Sequence, residues 1–145
     1  MLTRWYLVSW NREVQEVRTF ALDRIVSIQQ RLDLRDWQSQ GVDAAAMLDR
    51  VYGIVLQNQN AEKVVLRCDA RTAKYFETLP IHSSQKITGE GDQRLIELTL
   101  APNNDLEQFI MSYGTVVEVL EPQWLRQNVI ERARKTLGLY GLVEA

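Results

Sequence analysis

Apolar and polar residues alternate with a period of two near the start of the chain, which is the pattern of β-strands. The alternation predicts a strand over residues 3–10, a hairpin turn at 11–13 and a second strand over 14–20. A tight corner at 22–24 follows, and the β-branched residues of 25–30 favour a third strand. The N-terminal part is therefore expected to be a small sheet.

The two faces of this sheet differ in their chemistry. In the first strand Trp5 and Leu7 share one face, and Tyr6 lies on the other. In the second strand the same period puts Arg18 on the same side as Phe20. An arginine is thus expected two residues from an aromatic ring on one side of the sheet.

Helical and strand periods are mixed in the rest of the chain. The polar residues 33–40, followed by Gly41, are the best linker candidate, and a short helix over 44–51 capped by Asp43 comes next. The later predicted elements are strand 64–68, helix 70–79, strand 85–88, strand 95–100, helix 104–112, strand 115–120 and a helix from Pro122 to about residue 137. This order, βαββαβ and a final helix, is typical of the split ferredoxin-like arrangement.

Composition places the chain among ordinary globular proteins. Of its 145 residues 46% are hydrophobic and 25% charged, which excludes disordered and fibrous classes. No apolar run reaches the roughly 20 residues that a membrane-spanning helix needs. With no secretory signal pattern and one cysteine, a cytoplasmic protein without an internal disulfide is expected. The net charge of -2 argues against bulk coating of nucleic acid, so any anion affinity is expected to be local.

Candidate catalytic and metal-binding residues are few. His82 is the single histidine and Cys68 the single thiol, and they fall on different predicted elements, so no zinc set and no Cys-His pair is expected. Residues 89–92 contain two glycines, as a phosphate loop does, but their acids and the strand that follows favour a hairpin turn. Residues 81–85 fit a polar loop, with a pocket lining as the alternative. We expect no enzymatic activity, metal or cofactor.

The arginines near the aromatic strand are the strongest candidates for binding. A guanidinium group binds phosphate with two parallel hydrogen bonds, and a flat ring stacks on a base, so Arg18 and Arg24 beside Trp5 and Tyr6 suit an anionic, base-bearing ligand. The alternative is structural: Arg24 follows Asp23 and forms an ion pair, while Trp5 is plain core. The residues alone leave both possibilities open.

The same residues form a motif. Trp5–Leu7 on a strand, followed by Arg18-x-Phe20-x-Leu22-Asp23-Arg24-Ile25, resembles the signature of the WYL domain, the ligand-sensing module of many bacterial transcription regulators. The region from Lys63 to the late signals Tyr113-Gly114 and Glu121-Pro122-x-x-Leu125-Arg126 resembles the WYL C-terminal extension, WCX. Together the two resemblances cover nearly the whole chain.

The resemblance implies an α+β architecture in three parts: a partial Sm-like or SH3-like barrel at 1–35, a linker with a short helix at 36–60, and a ferredoxin-like extension at 61–145. It also implies that Tyr6, Arg18 and Arg24 contact a ligand. Trp5 and Arg126 are added as weaker candidates from their own chemistry.

The family arrangement further implies a homodimer that captures a nucleotide or a short single-stranded nucleic acid. Binding would be relayed to operator DNA through a winged helix-turn-helix ahead of the barrel. Because the Trp5–Leu7 strand comes so early, we expect the chain to be the C-terminal portion of such a regulator. Its bare strand edge is then expected to pair with another chain.

Two other classes of function stay open. The chain is a purely structural dimerisation module if the arginines only form ion pairs. It is a small enzyme if a pocket contains an acid or base with a perturbed pKa, for which the sequence offers no candidate. Alanine substitution of Arg18 or Arg24 separates sensing from the structural alternative.

Overall fold

The computed structural model describes residues 4–30, 43–56 and 60–142. In chain order the elements of these ranges are β1 (Tyr6–Asn11), β2 (Glu16–Ala21), a 3₁₀ turn (Leu22–Arg24), α1 (Ala44–Leu48), β3 (Glu62–Asp69), α2 (Ala70–Thr78), β4 (Lys86–Thr88), β5 (Gln93–Leu100), α3 (Asn104–Ser112), β6 (Val117–Glu121) and α4 (Gln123–Leu139).

Two antiparallel sheets organise these elements. β1 and β2 form a two-stranded sheet, and the second sheet has the strand order β4-β5-β3-β6 with every neighbouring pair antiparallel. An antiparallel sheet with helices packed on one face defines the α+β class, so this part of the prediction is confirmed.

The main core lies on one face of the larger sheet. Alternate residues of each strand point there, as the period of two requires, and they pack against apolar residues of α2, α3 and α4. The side chains with at most 1% exposure in this cluster are Val64, Leu66, Ala73, Phe76, Ile96, Leu98, Leu100, Leu106, Ile110 and Leu125.

Side-chain caps fix where the helices of this unit begin. The Asp69 carboxylate accepts from the backbone N–H of Thr72 at 2.6 Å, and these cap hydrogen bonds hold the pKa of Asp69 below its ordinary value. Asn103 caps α3 in the same way by accepting from the N–H of Leu106 at 3.0 Å. Strand β3 therefore turns directly into α2, and β5 leads into α3 after a short connection.

The predicted third strand at 25–30 is wrong. These residues have no regular secondary structure, and Val26 and Ile28 are 99% and 85% exposed. β-branched residues favour a strand only where a neighbouring strand accepts their backbone hydrogen bonds, and the described residues supply none there. The corner at Leu22–Arg24 is confirmed as a 3₁₀ turn.

Residues 43–56 lie between the two sheets in the chain and contact the larger sheet, so we call them the docked segment. α1 is shorter than predicted, and Val51 instead bridges in parallel to Ala101, with the Ala101 N–H donating to the carbonyl of Arg50 at 2.7 Å. Linker residues 36–42 lie outside the described part of the chain, so the three-part division stays a prediction.

Candidate functional site

The β1–β2 hairpin positions most of the predicted binding residues. Its turn is closed by Asn11, whose Oδ1 accepts from the N–H groups of Glu13 at 2.9 Å and Val14 at 3.3 Å. Gln15 completes the turn with a positive φ of 54°, a conformation that non-glycine residues rarely adopt. The register of the two strands follows from this closure.

One face of the hairpin is open to solvent and carries both rings and a cation. Leu7 pairs with Phe20 and Ser9 with Arg18, and the N–H of Leu22 donates to the Trp5 carbonyl at 3.0 Å. We call the surface formed by these exposed side chains the open face: Trp5, Leu7, Arg18, Phe20 and Leu22. Trp5 is 77% exposed, so an indole ring is available there for stacking.

Two arginines are the cationic candidates here, Arg18 on the open face and Arg24 in the turn that follows β2. The Arg18 guanidinium donates to Oε2 of Glu16 at 2.9 Å, and both side chains are about half exposed. Arg24 is exposed at the end of the 3₁₀ turn, immediately after Asp23, whose carboxylate lies 3.7 Å from Nε of Arg4. An exposed ion pair contributes only about 0–1 kcal/mol, so an incoming phosphate can replace Glu16 as the partner of Arg18 at little cost.

The structure does not bring Tyr6 to this surface. Tyr6 pairs with Ala21 and lies on the opposite face of the hairpin, together with Val17 and Trp10. Val17 and Ala21 are buried and Tyr6 is half-buried, so this face packs against other parts of the protein. Of the residues implied by the family motif, Arg18 is on the open face, Arg24 is exposed in the turn that follows β2, and Tyr6 is on the opposite face of the hairpin.

Arg126 belongs to a different environment on α4. Its guanidinium donates to Oε1 of Glu118 and to the backbone carbonyl of Val119, both at 2.6 Å. Arg67 on β3 donates to the other oxygen of the same carboxylate. These hydrogen bonds, first from Arg126 and then from Arg67, lower the pKa of Glu118. Arg126 therefore joins α4 to the edge strand β6, and the structure does not place it beside Arg18.

Cys68 and His82, the residues considered for catalysis, lie in surroundings that suit structural roles. Cys68 is 3% exposed in β3, and burial raises the pKa of its thiol, so the reactive thiolate is disfavoured. His82 lies in the predicted polar loop, where Nε2 is 2.7 Å from the carbonyl oxygen of Asp49 and Nδ1 is 2.7 Å from Ser84 Oγ. Within the described ranges there is no cluster of metal-ligating side chains.

Sequence reasoning missed a cavity of about 300 Å³ next to the packed face of the hairpin. Its walls include Trp10 and Glu16 of the hairpin, Arg50 of the docked segment and Ala101 at the end of β5. No local motif marks it, because the residues come from three separate stretches of chain. The sequence features that could have pointed to this cavity are the polar turn at 11–15 and Arg50, which follows α1.

Comparison with known families agrees with the motifs. A model of the WYL domain matches residues 3–30, and a model of the WCX domain matches residues 60–137, more than half of the chain. The chain belongs to the family of WYL and WCX domain regulators. That family acts in transcription regulation and is not enzymatic.

A solved structure also resembles this WYL and WCX chain. Proteasome accessory factor B/C (PafBC) of Arthrobacter aurescens is 22% identical, with a TM-score of 0.42. The match covers 89% of this chain and 20% of that one, so the chain spans about a fifth of the length of the solved structure. No curated protein matched. None of the described helices is both long and apolar enough to cross a membrane.

Proposed function

We propose that this chain is the effector-sensing part of a WYL-family transcription regulator and that its effector is a nucleotide or a short single-stranded nucleic acid. The observation that supports this most is the position of Arg18 on the same exposed face as Trp5 and Phe20, with Arg24 in the next turn. The effector's phosphates bind the arginines, and a base stacks on Trp5.

The expected interaction energies favour a nucleotide or a single-stranded nucleic acid over a simple inorganic anion. Stacking of one base on an aromatic side chain contributes about 1–3 kcal/mol. A guanidinium adds charge-assisted hydrogen bonds that are roughly twice as strong as neutral ones. A free phosphate would gain the second contribution but not the first. Exposed apolar side chains around Arg18 therefore indicate a ligand with a flat ring.

The architecture that we propose for the regulator follows the family. The hairpin is part of an Sm-like barrel, and residues 61–145 are a ferredoxin-like extension, for which the strand order β4-β5-β3-β6 is the support. The protein works in the cytoplasm as a homodimer. Effector binding changes the population of dimer geometries and so the affinity of a winged helix-turn-helix, outside these residues, for operator DNA.

The test is a fluorescence-anisotropy titration with labelled single-stranded DNA and RNA at 50 and 200 mM salt. With two phosphates neutralised on a single strand, affinity should fall about sevenfold between these concentrations. Arg18→Ala and Arg24→Ala should each weaken binding and flatten the salt dependence. Arg134→Ala, an exposed arginine on α4, is the matched control and should change neither.

Equal binding by the wild type and both hairpin variants would contradict effector capture at the open face. Light scattering after size exclusion then examines the structural alternative, because a dimer that persists without oligonucleotide binding is a dimerisation module. A monomer at every concentration would contradict the proposed homodimer.

A further inference from the structure

Glu16 lies beside Arg18 on the same side of the hairpin as the open face, at the end nearer the turn. The two residues are two apart in β2, so their side chains point to the same side, and Oε2 of Glu16 accepts from the Arg18 guanidinium at 2.9 Å. Phe20 is the next residue of β2 on this side, in the opposite direction. The ion pair therefore directs the Arg18 guanidinium toward the turn and away from the ring of Phe20.

The cation and the stacking ring are separated along the hairpin. Arg18 pairs with Ser9, and Trp5 lies four residues before Ser9 in the chain, at the level of Leu22. At a rise of about 3.3 Å per residue, the backbone positions of Arg18 and Trp5 are roughly 13 Å apart along the strands. Because the guanidinium points away from the rings, a ligand that stacks on Trp5 and also reaches this guanidinium has to span at least that distance.

The bond to Glu16 leaves Arg18 able to bind a phosphate. It uses an N–H of Nη2, and the guanidinium carries further N–H donors on Nε and Nη1. Both side chains are about half exposed, so a ligand can approach these donors. Displacing Glu16 costs little, but it would leave a carboxylate of like charge beside the phosphate. Binding to the remaining donors avoids this repulsion in part and keeps the guanidinium where Glu16 holds it.

We propose that Glu16 sets the length of ligand that the open face selects. It acts as a positioning residue: by holding the Arg18 guanidinium toward the turn, it separates the phosphate contact from the stacking contact on Trp5. A mononucleotide then makes one of the two contacts, and a strand of several nucleotides makes both. The inference rests on the proposed capture of an effector at the open face. Of the two ligands proposed there, it selects the short single strand over the nucleotide.

The experiment measures how tightly the full chain binds 5′-phosphorylated deoxyadenosine oligonucleotides, from the monophosphate to the hexamer, by competition against a labelled hexamer in fluorescence anisotropy. The wild type should bind the longer strands at least about fivefold tighter than the monophosphate, because the monophosphate forgoes either the stack or the guanidinium. We call this ratio the length step. Glu16→Ala releases Arg18, which can then turn toward the rings, so the length step should shrink to about twofold or less.

Glu16→Gln separates position from charge. Its amide oxygen still accepts from the guanidinium but carries no charge, so the length step should persist in this variant. In an Arg18→Ala background, Glu16→Ala should have no further effect on the length step, because Glu16 acts through Arg18. Glu13→Ala is the matched control: it removes the same charge from the exposed turn, outside β2, and should preserve the length step.

Circular dichroism establishes that each variant is folded. An unchanged length step in folded Glu16→Ala overturns the inference. Equal loss of the step in Glu16→Gln and Glu16→Ala also overturns it, because the effect would then come from charge and not from position. Hexamer binding by the wild type without any length step overturns the inference and leaves the proposed capture intact. Absence of hexamer binding by the wild type overturns both.

Discussion

The side-chain amide of Asn103 joins the N-terminus of α3 to the backbone of Tyr52. Its Nδ2 donates to the carbonyl oxygens of Tyr52 at 2.9 Å and Val55 at 3.0 Å, while Oδ1 accepts from the N–H of Leu106 at 3.0 Å. Asn103 is 3% exposed, so these bonds are protected from water. One side chain therefore caps a helix and also fixes the segment that leads to the hairpin.

Replacing Asn103 should separate these two roles. Asn103→Ala should lose the cap, which lowers the free energy of unfolding by about 1 kcal/mol. It should also lose the hydrogen bonds to Tyr52 and Val55, at about 1 kcal/mol each. Asn103→Ser keeps an acceptor for the cap but is too short to reach Tyr52 and Val55, so it should cost about 1 kcal/mol less than alanine. Urea unfolding, analysed with the same m-value for all three proteins, measures the loss in the free energy of unfolding for both variants. Wild-type stability in the serine variant would mean that the bonds to Tyr52 and Val55 contribute nothing.

Gly53 tests a second contact between this segment and α3, the one made by Asp105. It has a φ of +74°, and a Cβ added there would lie 2.4 Å from Oδ2 of Asp105, which accepts from the N–H of Ile54 at 3.1 Å. Gly53→Ala should therefore combine backbone strain of about 1–2 kcal/mol with a steric clash. Gly141 has a φ of +70° and open space around it, so Gly141→Ala isolates the strain.

The comparison of the two variants in urea gives the cost of the clash alone. Gly53→Ala should be the less stable of the two by at least about 1 kcal/mol, because the Asp105 side chain, which accepts from the N–H of Ile54, must move. Equal losses in Gly53→Ala and Gly141→Ala would mean that Asp105 moves aside freely and does not hold the segment in place.

Local patterns in the sequence were sufficient for most of the larger sheet. The apolar periodicity placed helices at 70–79 and 104–112, close to the observed α2 and α3, and residues 89–92 were correctly identified as the turn between β4 and β5. The strand at 25–30 was predicted wrongly because β propensity depends on a partner strand, which a single segment does not specify. The docking of Val51 beside Ala101 is equally non-local.

The candidate site could be predicted only in part. A period of two correctly puts Arg18 and Phe20 on one face, because it depends on strand geometry alone. Whether Tyr6 shares that face depends on the cross-strand register, and the structure pairs it with Ala21 on the other side. Arg126 was added as a binding candidate from its own chemistry, but its partner Glu118 lies on β6, which only the packing of α4 brings close.

The pKa of Glu118 gives a prediction about acid stability. Hydrogen bonds from Arg126 and Arg67 lower this pKa below its ordinary value of 4.5. The folded state thus favours the ionised carboxylate, and its contribution to stability is present above pH 4.5 and is lost as the pH falls through the lowered pKa. The stability difference between wild type and Glu118→Gln should be largest at neutral pH and should shrink on acidification.

Urea unfolding at a series of pH values measures this difference. Glu131→Gln, an exposed glutamate on α4, is the control and should show no comparable pH-dependent difference from wild type. A gap between wild type and Glu118→Gln that stays constant from neutral to acidic pH would show that the two arginines do not favour the ionised carboxylate of Glu118.

A buried acid gives the sharpest test of how α4 is anchored. The Glu107 side chain on α3 is 10% exposed, and its Oε2 lies 2.6 Å from Nε of Arg132, while Oε1 accepts from Asn128 at 2.9 Å. Removing Arg132 leaves a buried carboxylate without its cation, which typically costs about 3–5 kcal/mol. Because Arg132 is 39% exposed and Asn128 remains, we expect about 2–3 kcal/mol for Arg132→Ala.

Two further variants separate the ion pair from helix packing. Arg134→Ala, on the same helix but exposed, should change the free energy of unfolding by no more than about 0.5 kcal/mol. The double variant Glu107→Met with Arg132→Met should be more stable than Arg132→Ala alone, because no uncompensated charge is then buried. Should the double variant unfold as readily as Arg132→Ala, the loss would come from the contacts of the arginine stem and not from the charge that it neutralises.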